Sequence, residues 1–127
     1  MAKKFYFWIA VAWTAVIAVL CLVSFKTLPS VKVADADKYV HATFHFLFTV
    51  FWYLHFTNST PALAKARIRG RVLAFSVIYG CLIEIAQEYL TVTRSADLRD
   101  VVANFAGAIL AVILLFLYGQ FQKTRQV

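Results

Sequence analysis

The sequence predicts an all-α membrane protein, an integral bundle of four transmembrane helices, and three observations support this fold class. The chain of 127 residues is 62% hydrophobic and 17% aromatic, and only 15% of its residues are charged. A soluble domain of this length cannot bury so much apolar surface in its own core, whereas a bilayer can. The apolar residues form four long runs, and most charged residues fall between them. We expect one domain over residues 1–127.

The first predicted span covers about residues 5–25 and contains no charged residue. About 20 apolar residues are enough for a helix to cross the hydrocarbon core. The alternative is a secretory signal peptide, because Lys3 and Lys4 precede the apolar run. Signal peptides have shorter apolar regions, and the small residues at 34–36 lie too far beyond this one to form their cleavage site. A retained membrane anchor is the favoured interpretation.

The remaining spans are predicted at about residues 38–56, 72–90 and 100–121. The second contains three histidines among aromatic residues, and turn-forming residues follow it at 58–61. Glu84, Gln87 and Glu88 interrupt the third apolar run near its end. Polar residues are expensive inside a membrane and usually face the interior of a bundle, so these three side chains are candidates for a site.

The basic residues in the short flanking segments predict the orientation. One side holds Lys3, Lys4, Lys65, Arg67, Arg69, Arg71, Lys123 and Arg125. The other side holds Lys26, Lys32, Lys38, Arg94 and Arg99, together with all six acidic residues. The side richer in lysine and arginine is cytoplasmic in most membrane proteins. We therefore expect both termini in the cytoplasm. This placement of charge also excludes a nucleic-acid partner, which would require a solvated basic face.

Three polar helix faces are predicted near the outer ends of the second, third and fourth spans. Glu84, Gln87 and Glu88 have the spacing i, i+3, i+4, which places them on one face of a helix. In the second span His41 and His45 are one turn apart, and Asp37 lies one turn before them. Asp97, Asp100 and Asn104 lie around the start of the fourth span. If the bundle closes, these faces converge just below the outer membrane surface.

Several of these residues also have a purely structural interpretation. Asp37, Asp97 and Asp100 can cap or favour the start of a helix without any other role. His45 is better explained as a hydrogen-bonded residue between helices than as a ligand. Ala103, Gly107 and Ala111 are spaced by four and predict close helix packing. A buried Glu84 is harder to explain structurally, and Arg94 and His41 are its candidate partners.

Four short motifs in this order resemble the VanZ-like family of small bacterial membrane proteins. They are Asp37-Lys38 followed by His41, Glu84-Ile85-Ala86-Gln87, Arg94, and Asp97 with Asp100 and Asn104 before Gly107. The resemblance covers about residues 28–112. Where the family often has a tyrosine one turn after the motif histidine, this chain has His45. That departure leaves open whether the same ligand is handled.

The resemblance implies a set of site residues and a function. The ligand-binding residues would be Asp37, Lys38, Gln87, Arg94, Asp97, Asp100 and Asn104, and Glu84 with His41 would be the acid–base pair if the protein catalyses a reaction. The family is named after a protein associated with lowered susceptibility to teicoplanin. The implied ligand is amphiphilic, such as a lipid-linked cell-wall precursor or a lipoglycopeptide, and membrane lipids surround the protein.

Two other functions stay open at the level of sequence. A metal-dependent hydrolase could use His41, His45, Glu84 and Glu88, although no HExxH motif is present and we expect no cofactor. An ion- or proton-coupled carrier would explain a carboxylate inside the membrane. Four helices without evident breaks leave little room for alternating access, so this function is the less favoured.

Overall fold

The computed structural model describes residues 2–23, 36–58, 62–91 and 95–125. Within these ranges the chain is all-α. The four helices are α1 (Ala2–Leu22), α2 (Ala36–Thr57), α3 (Ala62–Leu90) and α4 (Leu98–Thr124). The predicted all-helical class and the number of helices are confirmed.

The largest difference from the predicted boundaries is at α3, which begins at Ala62 instead of near residue 72. Residues 62–71 are mostly alanine, leucine, lysine and arginine, which favour the helix more than most residues do. The basic residues precede the apolar run, but the helix already includes them. Hydropathy therefore located the apolar part of α3 and missed its basic first turns.

Two helices of the described chain are long and apolar enough to cross a membrane. They cover Lys4–Leu22 and Leu98–Gln122, with mean hydropathies of 2.3 and 2.5. The other two helices have 22 and 29 residues, so they are also long enough to span. Their polar residues lower their hydropathy, and the positions of those residues determine how the bundle packs.

A close contact between α2 and α4 occurs at Gly107. A Cβ atom added at this position would overlap the backbone of Ala42. Only glycine allows the two backbones to approach so closely. Ala108 and Ala111, further along α4, are fully buried, whereas Ala103 is only partly buried. The small-residue packing predicted for α4 is therefore seen at Gly107, which holds α4 against α2.

The apolar core lies between α1, α2 and α3. Ile17, Cys21, Phe48 and Ile83 form one buried cluster. The ring of Phe48 stacks on that of Tyr79, with 5.1 Å between the centroids. Aromatic pairs in this geometry add to the dispersion energy of the packed core.

Aromatic hydrogen-bond donors attach α1 to its neighbours. The indole of Trp13 donates to the backbone oxygen of Phe44 at 3.1 Å, and the hydroxyl of Tyr79 donates to the backbone oxygen of Thr14 at 2.6 Å. The indole of Trp52 donates to the hydroxyl of Thr14 at 3.1 Å. In an apolar surrounding these bonds fix the rotation of α1, because a displaced donor would find no water.

Polar side chains lie inside the bundle, and large apolar side chains lie on its surface. The buried polar and charged residues of the described chain are His41, His45, Thr49, Ser76, Glu84, Gln87, Asp100 and Asn104. Large exposed apolar side chains occur on every helix, for example Trp8, Tyr39, Ile78 and Leu117. A water-soluble protein has the opposite distribution, because exposed apolar area of this extent would drive association.

The contacts between helices define two ends of the bundle. At the polar end α1 and α3 finish and α2 and α4 begin, since Gln87 reaches the backbone of Cys21 and His41 approaches both Glu84 and Asp100. At the basic end, the guanidinium of Arg69 near the start of α3 lies over the ring of Phe116 near the end of α4. The predicted polar residues that the structure describes lie at or near the polar end.

Candidate functional site

One face of α3 supplies the floor of the candidate site. Ser76, Gly80, Glu84 and Gln87 are all buried and recur every three or four residues. Glu88 belongs to the same face by spacing, but its side chain is exposed and accepts a hydrogen bond from the backbone N–H of Ala96 at 2.9 Å. The polar face of α3 is therefore buried as far as Gln87 and exposed at Glu88.

His41 occupies the centre of the site and touches all three polar faces. It is 2% exposed. Its Nδ1 lies 3.2 Å from Oδ1 of Asn104 and 3.8 Å from Oε1 of Glu84. Its Nε2 lies 3.8 Å from Oδ2 of Asp100 and 3.9 Å from Oδ1 of Asp37. The predicted convergence of the helices is thus seen at one imidazole ring.

Asp97 and Glu84 both form hydrogen bonds that stabilise the start of α4. Oδ1 of Asp97 accepts the backbone N–H of Arg99 at 2.8 Å, so Asp97 is the N-cap residue. The backbone N–H of Asp97 itself donates to Oε2 of Glu84 at 3.1 Å. A carboxylate from a different helix therefore takes the place that a glutamate of the same helix has in a capping box. Glu84 fixes the start of α4 in addition to facing His41.

Lys38 lies beside two of the carboxylates. Its Nζ is 3.9 Å from Oδ2 of Asp97 and 3.9 Å from Oδ1 of Asp100. Its side chain is 28% exposed, whereas that of Asp100 is 8% exposed. The lysine can therefore balance part of the charge of the buried Asp100 while its ammonium group reaches water.

Two predicted residues, Gln87 and His45, have hydrogen-bond partners outside this centre. Gln87 donates from Nε2 to the backbone oxygen of Cys21 at 3.0 Å, which satisfies a carbonyl group in the last turn of α1. His45 is hydrogen-bonded to the hydroxyl of Ser76 at 2.8 Å, between α2 and α3. Arg94 lies outside the described residues.

Three buried polar atoms at the site have no hydrogen-bond partner in the described part of the chain. They are Oε1 of Glu84, Oδ1 of Asp100 and Nδ2 of Asn104. Buried polar atoms are nearly always paired, because an unpaired one costs about 1–3 kcal/mol. Three of them around one histidine indicate a place where a ligand, an ion or water completes the hydrogen bonding.

A polar cavity and an apolar groove meet at Asp97. The cavity, of about 270 Å³, is lined by Asp37, Gln87, Ser95, Asp97 and Asp100. The groove, of about 660 Å³, is lined by Lys38, Asp97, Leu98, Arg99, Val102, Ala103 and Ala106. One carboxylate residue therefore borders both a polar space and a mostly apolar surface of α4.

The groove and Ser95 were not predicted from the sequence. Leu98, Val102 and Ala106 recur every four residues, which places them along one side of α4. That periodicity could have marked an apolar stripe next to the N-cap. Ser95 has no comparable signal, since a serine before a helix start usually only shapes the turn.

The comparisons with known proteins give one match. A sequence model described as VanZ/LLP1 matches residues 4–119, which is nearly the whole chain. No curated protein sequence and no solved structure matches the chain significantly. The match extends the resemblance carried by the four motifs to α1 and to most of α4, and the chain is a member of the VanZ/LLP1 family.

Proposed function

We propose that this protein is a multi-pass envelope protein of the bacterial inner membrane that binds an amphiphilic ligand at its polar end. The observation that supports it best is the meeting of a polar cavity and an apolar groove at Asp97. An amphiphile needs such a pair of neighbouring surfaces, one for its polar group and one for its acyl chain. The family membership favours an envelope role over a soluble one.

All four helices cross the membrane in this proposal, with both termini in the cytoplasm. Apolar side chains cover the outside of α2 and α3 as well as α1 and α4. The basic first turns of α3 then lie on the cytoplasmic side, and the polar end faces outwards. To test this, Cys21 and Cys81 are replaced by alanine, and a single cysteine is introduced as Ser95→Cys or Thr124→Cys. A membrane-impermeant maleimide should label intact cells only at position 95, and labelling only at position 124 would reverse the orientation.

The charges of the cavity restrict the polar part of the ligand. Asp37, Asp97 and Asp100 line it, and these carboxylates accept hydrogen bonds. A headgroup rich in hydroxyl or amino groups fits this lining. A lipoglycopeptide antibiotic and the sugar portion of a lipid-linked cell-wall precursor both have such groups and an apolar chain. Lys38 and Arg99 border the groove, where a phosphate or carboxylate next to the chain could bind.

Binding is better supported than catalysis. Glu84 and His41 are 3.8 Å apart, which is too far for a direct proton exchange without a movement of one side chain. Both are buried, and neither lines the cavity. A bound ligand therefore meets Asp37 and Asp100 first, and Glu84 acts by holding the start of α4.

The test is growth inhibition by teicoplanin in a susceptible Gram-positive host that expresses the protein. Glu84→Gln removes the buried charge and keeps an oxygen that can accept the N–H of Asp97. Glu88→Gln is the matched control, because it makes the same change one turn further along α3 at an exposed position. Wild type and Glu88→Gln should protect equally, and Glu84→Gln should protect less at equal membrane levels.

Two further comparisons separate the candidate ligands. Protection against teicoplanin but not against the same glycopeptide without its acyl chain would indicate direct capture of the antibiotic. Equal protection against both would indicate action on the cell-wall precursor. Wild-type protein at normal membrane levels that gives no protection against either compound would contradict the proposed role in glycopeptide susceptibility.

A further inference from the structure

We infer that Asp37, His41 and Asp100 bind a divalent transition-metal ion such as Zn²⁺ at the polar end of the bundle. The three side chains come from the first turns of α2 and α4. One ligand atom of each lies within 4.8 Å of the others. The inference departs from the expectation that the protein has no cofactor, and its ligand set differs from the one considered from the sequence. It does not depend on the amphiphile proposed above.

The hydrogen bonding of His41 leaves one ring nitrogen available to a metal. Oδ1 of Asn104 faces Nδ1 at 3.2 Å, and a carboxamide oxygen can only accept, so Nδ1 carries the proton. In the neutral ring, Nε2 then has a lone pair. Metal-binding histidines have this arrangement, in which the other ring N–H donates to an oxygen that fixes the tautomer and the ring orientation.

Nε2 faces oxygen atoms that are also electron-pair donors. Oδ2 of Asp100 is 3.8 Å away and Oδ1 of Asp37 is 3.9 Å away. These separations are too long for direct hydrogen bonds. A metal ion bound between these three atoms would have two carboxylate ligands and one imidazole ligand.

The distances are close to those of a first coordination shell. At Zn–N and Zn–O bond lengths of 2.0–2.2 Å, two ligands in tetrahedral geometry lie roughly 3.4 Å apart. The distances from Nε2 to the two carboxylate oxygens exceed this by about 0.5 Å at most, and the three ligand atoms lie within 4.8 Å of one another, so side-chain rotations would have to draw the two carboxylates together around the ion. An imidazole nitrogen favours Zn²⁺ or a similar transition metal over Mg²⁺ and Ca²⁺, which prefer oxygen ligands.

A second observation supports a bound cation. Asp100 is 6% exposed, and its Oδ1 has no hydrogen-bond partner in the described part of the chain. The ammonium group of Lys38 lies 3.9 Å from this oxygen, which is too far for a hydrogen bond. A buried carboxylate needs compensating charge, and a divalent ion between Asp100 and His41 would supply it.

The site also has an access route and room for further ligands. The side chain of Asp37 is 53% exposed, and Asp37 and Asp100 both line the 270 Å³ cavity. Three protein ligands leave at least one position for water or for a group of a bound molecule, as in catalytic zinc sites. Lys38 approaches Oδ1 of Asp100, so it does not compete for Oδ2, which faces His41.

The test is metal binding by the full-length protein in detergent. The protein is stripped with a chelator, loaded with Zn²⁺ and desalted, and its zinc content is measured by mass spectrometry. Wild type should retain about one ion per chain. Co²⁺ in place of Zn²⁺ should give visible absorption bands typical of nitrogen and oxygen ligands. An excess of Mg²⁺ should not displace either ion.

Two ligand variants and one control test whether the named residues bind the metal ion. Asp100→Asn and Asp37→Asn should each weaken Zn²⁺ binding at least about tenfold, because each removes a charged ligand. Glu88→Gln removes an exposed carboxylate of the same end and should bind like wild type. Circular dichroism and gel filtration check that every variant is folded.

Other outcomes would overturn the inference. Wild-type protein that retains no zinc and gives no Co²⁺ bands would show that Asp37, His41 and Asp100 do not form a metal site. An equal loss in Glu88→Gln and Asp100→Asn would show only general attraction of cations to the acidic end. Metal binding without protection against teicoplanin would leave the metal site intact and contradict the proposed function alone.

Discussion

The two ends of the bundle differ in whether their charged side chains are buried or exposed. At the polar end, charged and amide side chains are buried, and Gln87 and Glu84 of α3 hold the end of α1 and the start of α4. At the basic end, Arg67 and Arg71 are exposed. The glycines show the same difference, since Gly80 and Gly107 are tightly packed and Gly70 and Gly119 have no atom within 4 Å of an added Cβ.

This difference shows where the fold is specified. In a membrane, helices gain little from apolar contact alone, so close packing and hydrogen bonds decide how they associate. The close packing at Gly107 and the bonds of Gln87 and Glu84 lie towards the polar end, and the bonds of Thr14 to Trp52 and Tyr79 lie in the middle of the bundle. We therefore expect substitutions there to change stability and function together, and matched substitutions at the basic end to change little.

The largest effect is expected from Gly107→Ala, compared with Gly119→Ala on the same helix. The new Cβ at 107 would overlap the backbone of Ala42, which cannot move aside as a flexible side chain can. We expect a loss of about 3 kcal/mol or more, at the upper end of the range for overpacking. Gly119→Ala should be neutral or stabilising by up to about 1 kcal/mol.

Unfolding by SDS in mixed micelles, followed by circular dichroism, measures both variants. Similar stabilities would mean that α2 and α4 separate more easily than the structure indicates. The polar end would then not be the rigid part of the molecule.

The sequence predicted the four helices and the end at which the polar residues gather, because helical periodicity and membrane hydropathy are local properties. The partners of those residues depend on the rotation of each helix, which local patterns do not determine. Glu84 was identified as unusual, but its hydrogen bond to the N–H of Asp97 could not be. Gln87 was assigned to a ligand, whereas in the structure it also satisfies a carbonyl of α1. The ligand set proposed for the metal ion was not predicted, because Asp37 and Asp100 each have a sufficient explanation as residues near a helix start.

The next largest effect is expected from Ser76→Ala, compared with Thr43→Ala. The hydroxyl of Ser76 is the hydrogen-bond partner of the buried His45, and its loss leaves Nδ1 of His45 unsatisfied. We expect a loss of about 1–2 kcal/mol. The exposed hydroxyl of Thr43 bonds only to its own helix, so Thr43→Ala should change stability by less than about 0.5 kcal/mol. The same unfolding measurement applies, and equal effects would show that water reaches His45.

A smaller effect is expected at the N-cap of α4. Asp97→Ala removes the acceptor of the Arg99 N–H and should cost about 1 kcal/mol. Asp97→Asn keeps a capping oxygen and should recover most of that loss, although it removes the charge beside Lys38. Hydrogen exchange in the first turn of α4 measures the effect locally. Equal exchange in the two variants would show that the charge of Asp97, and not its capping bond, holds the helix start.

The smallest effect is expected at the basic end, where two arginines of α3 can be compared. The guanidinium of Arg69 lies 5.3 Å from the centre of the Phe116 ring, a cation–π contact between α3 and α4. Arg69→Gln should therefore cost about 0.5–1 kcal/mol, and Arg67→Gln, at an exposed position, should stay within about 0.5 kcal/mol of wild type. Phe116→Leu should abolish the difference between them, because it removes the ring and keeps the charge. If Arg67→Gln proves as costly as Arg69→Gln, the basic end contributes to stability through its total charge at the membrane surface. The two ends would then differ in the kind of interaction that stabilises them, and not in how much they stabilise the fold.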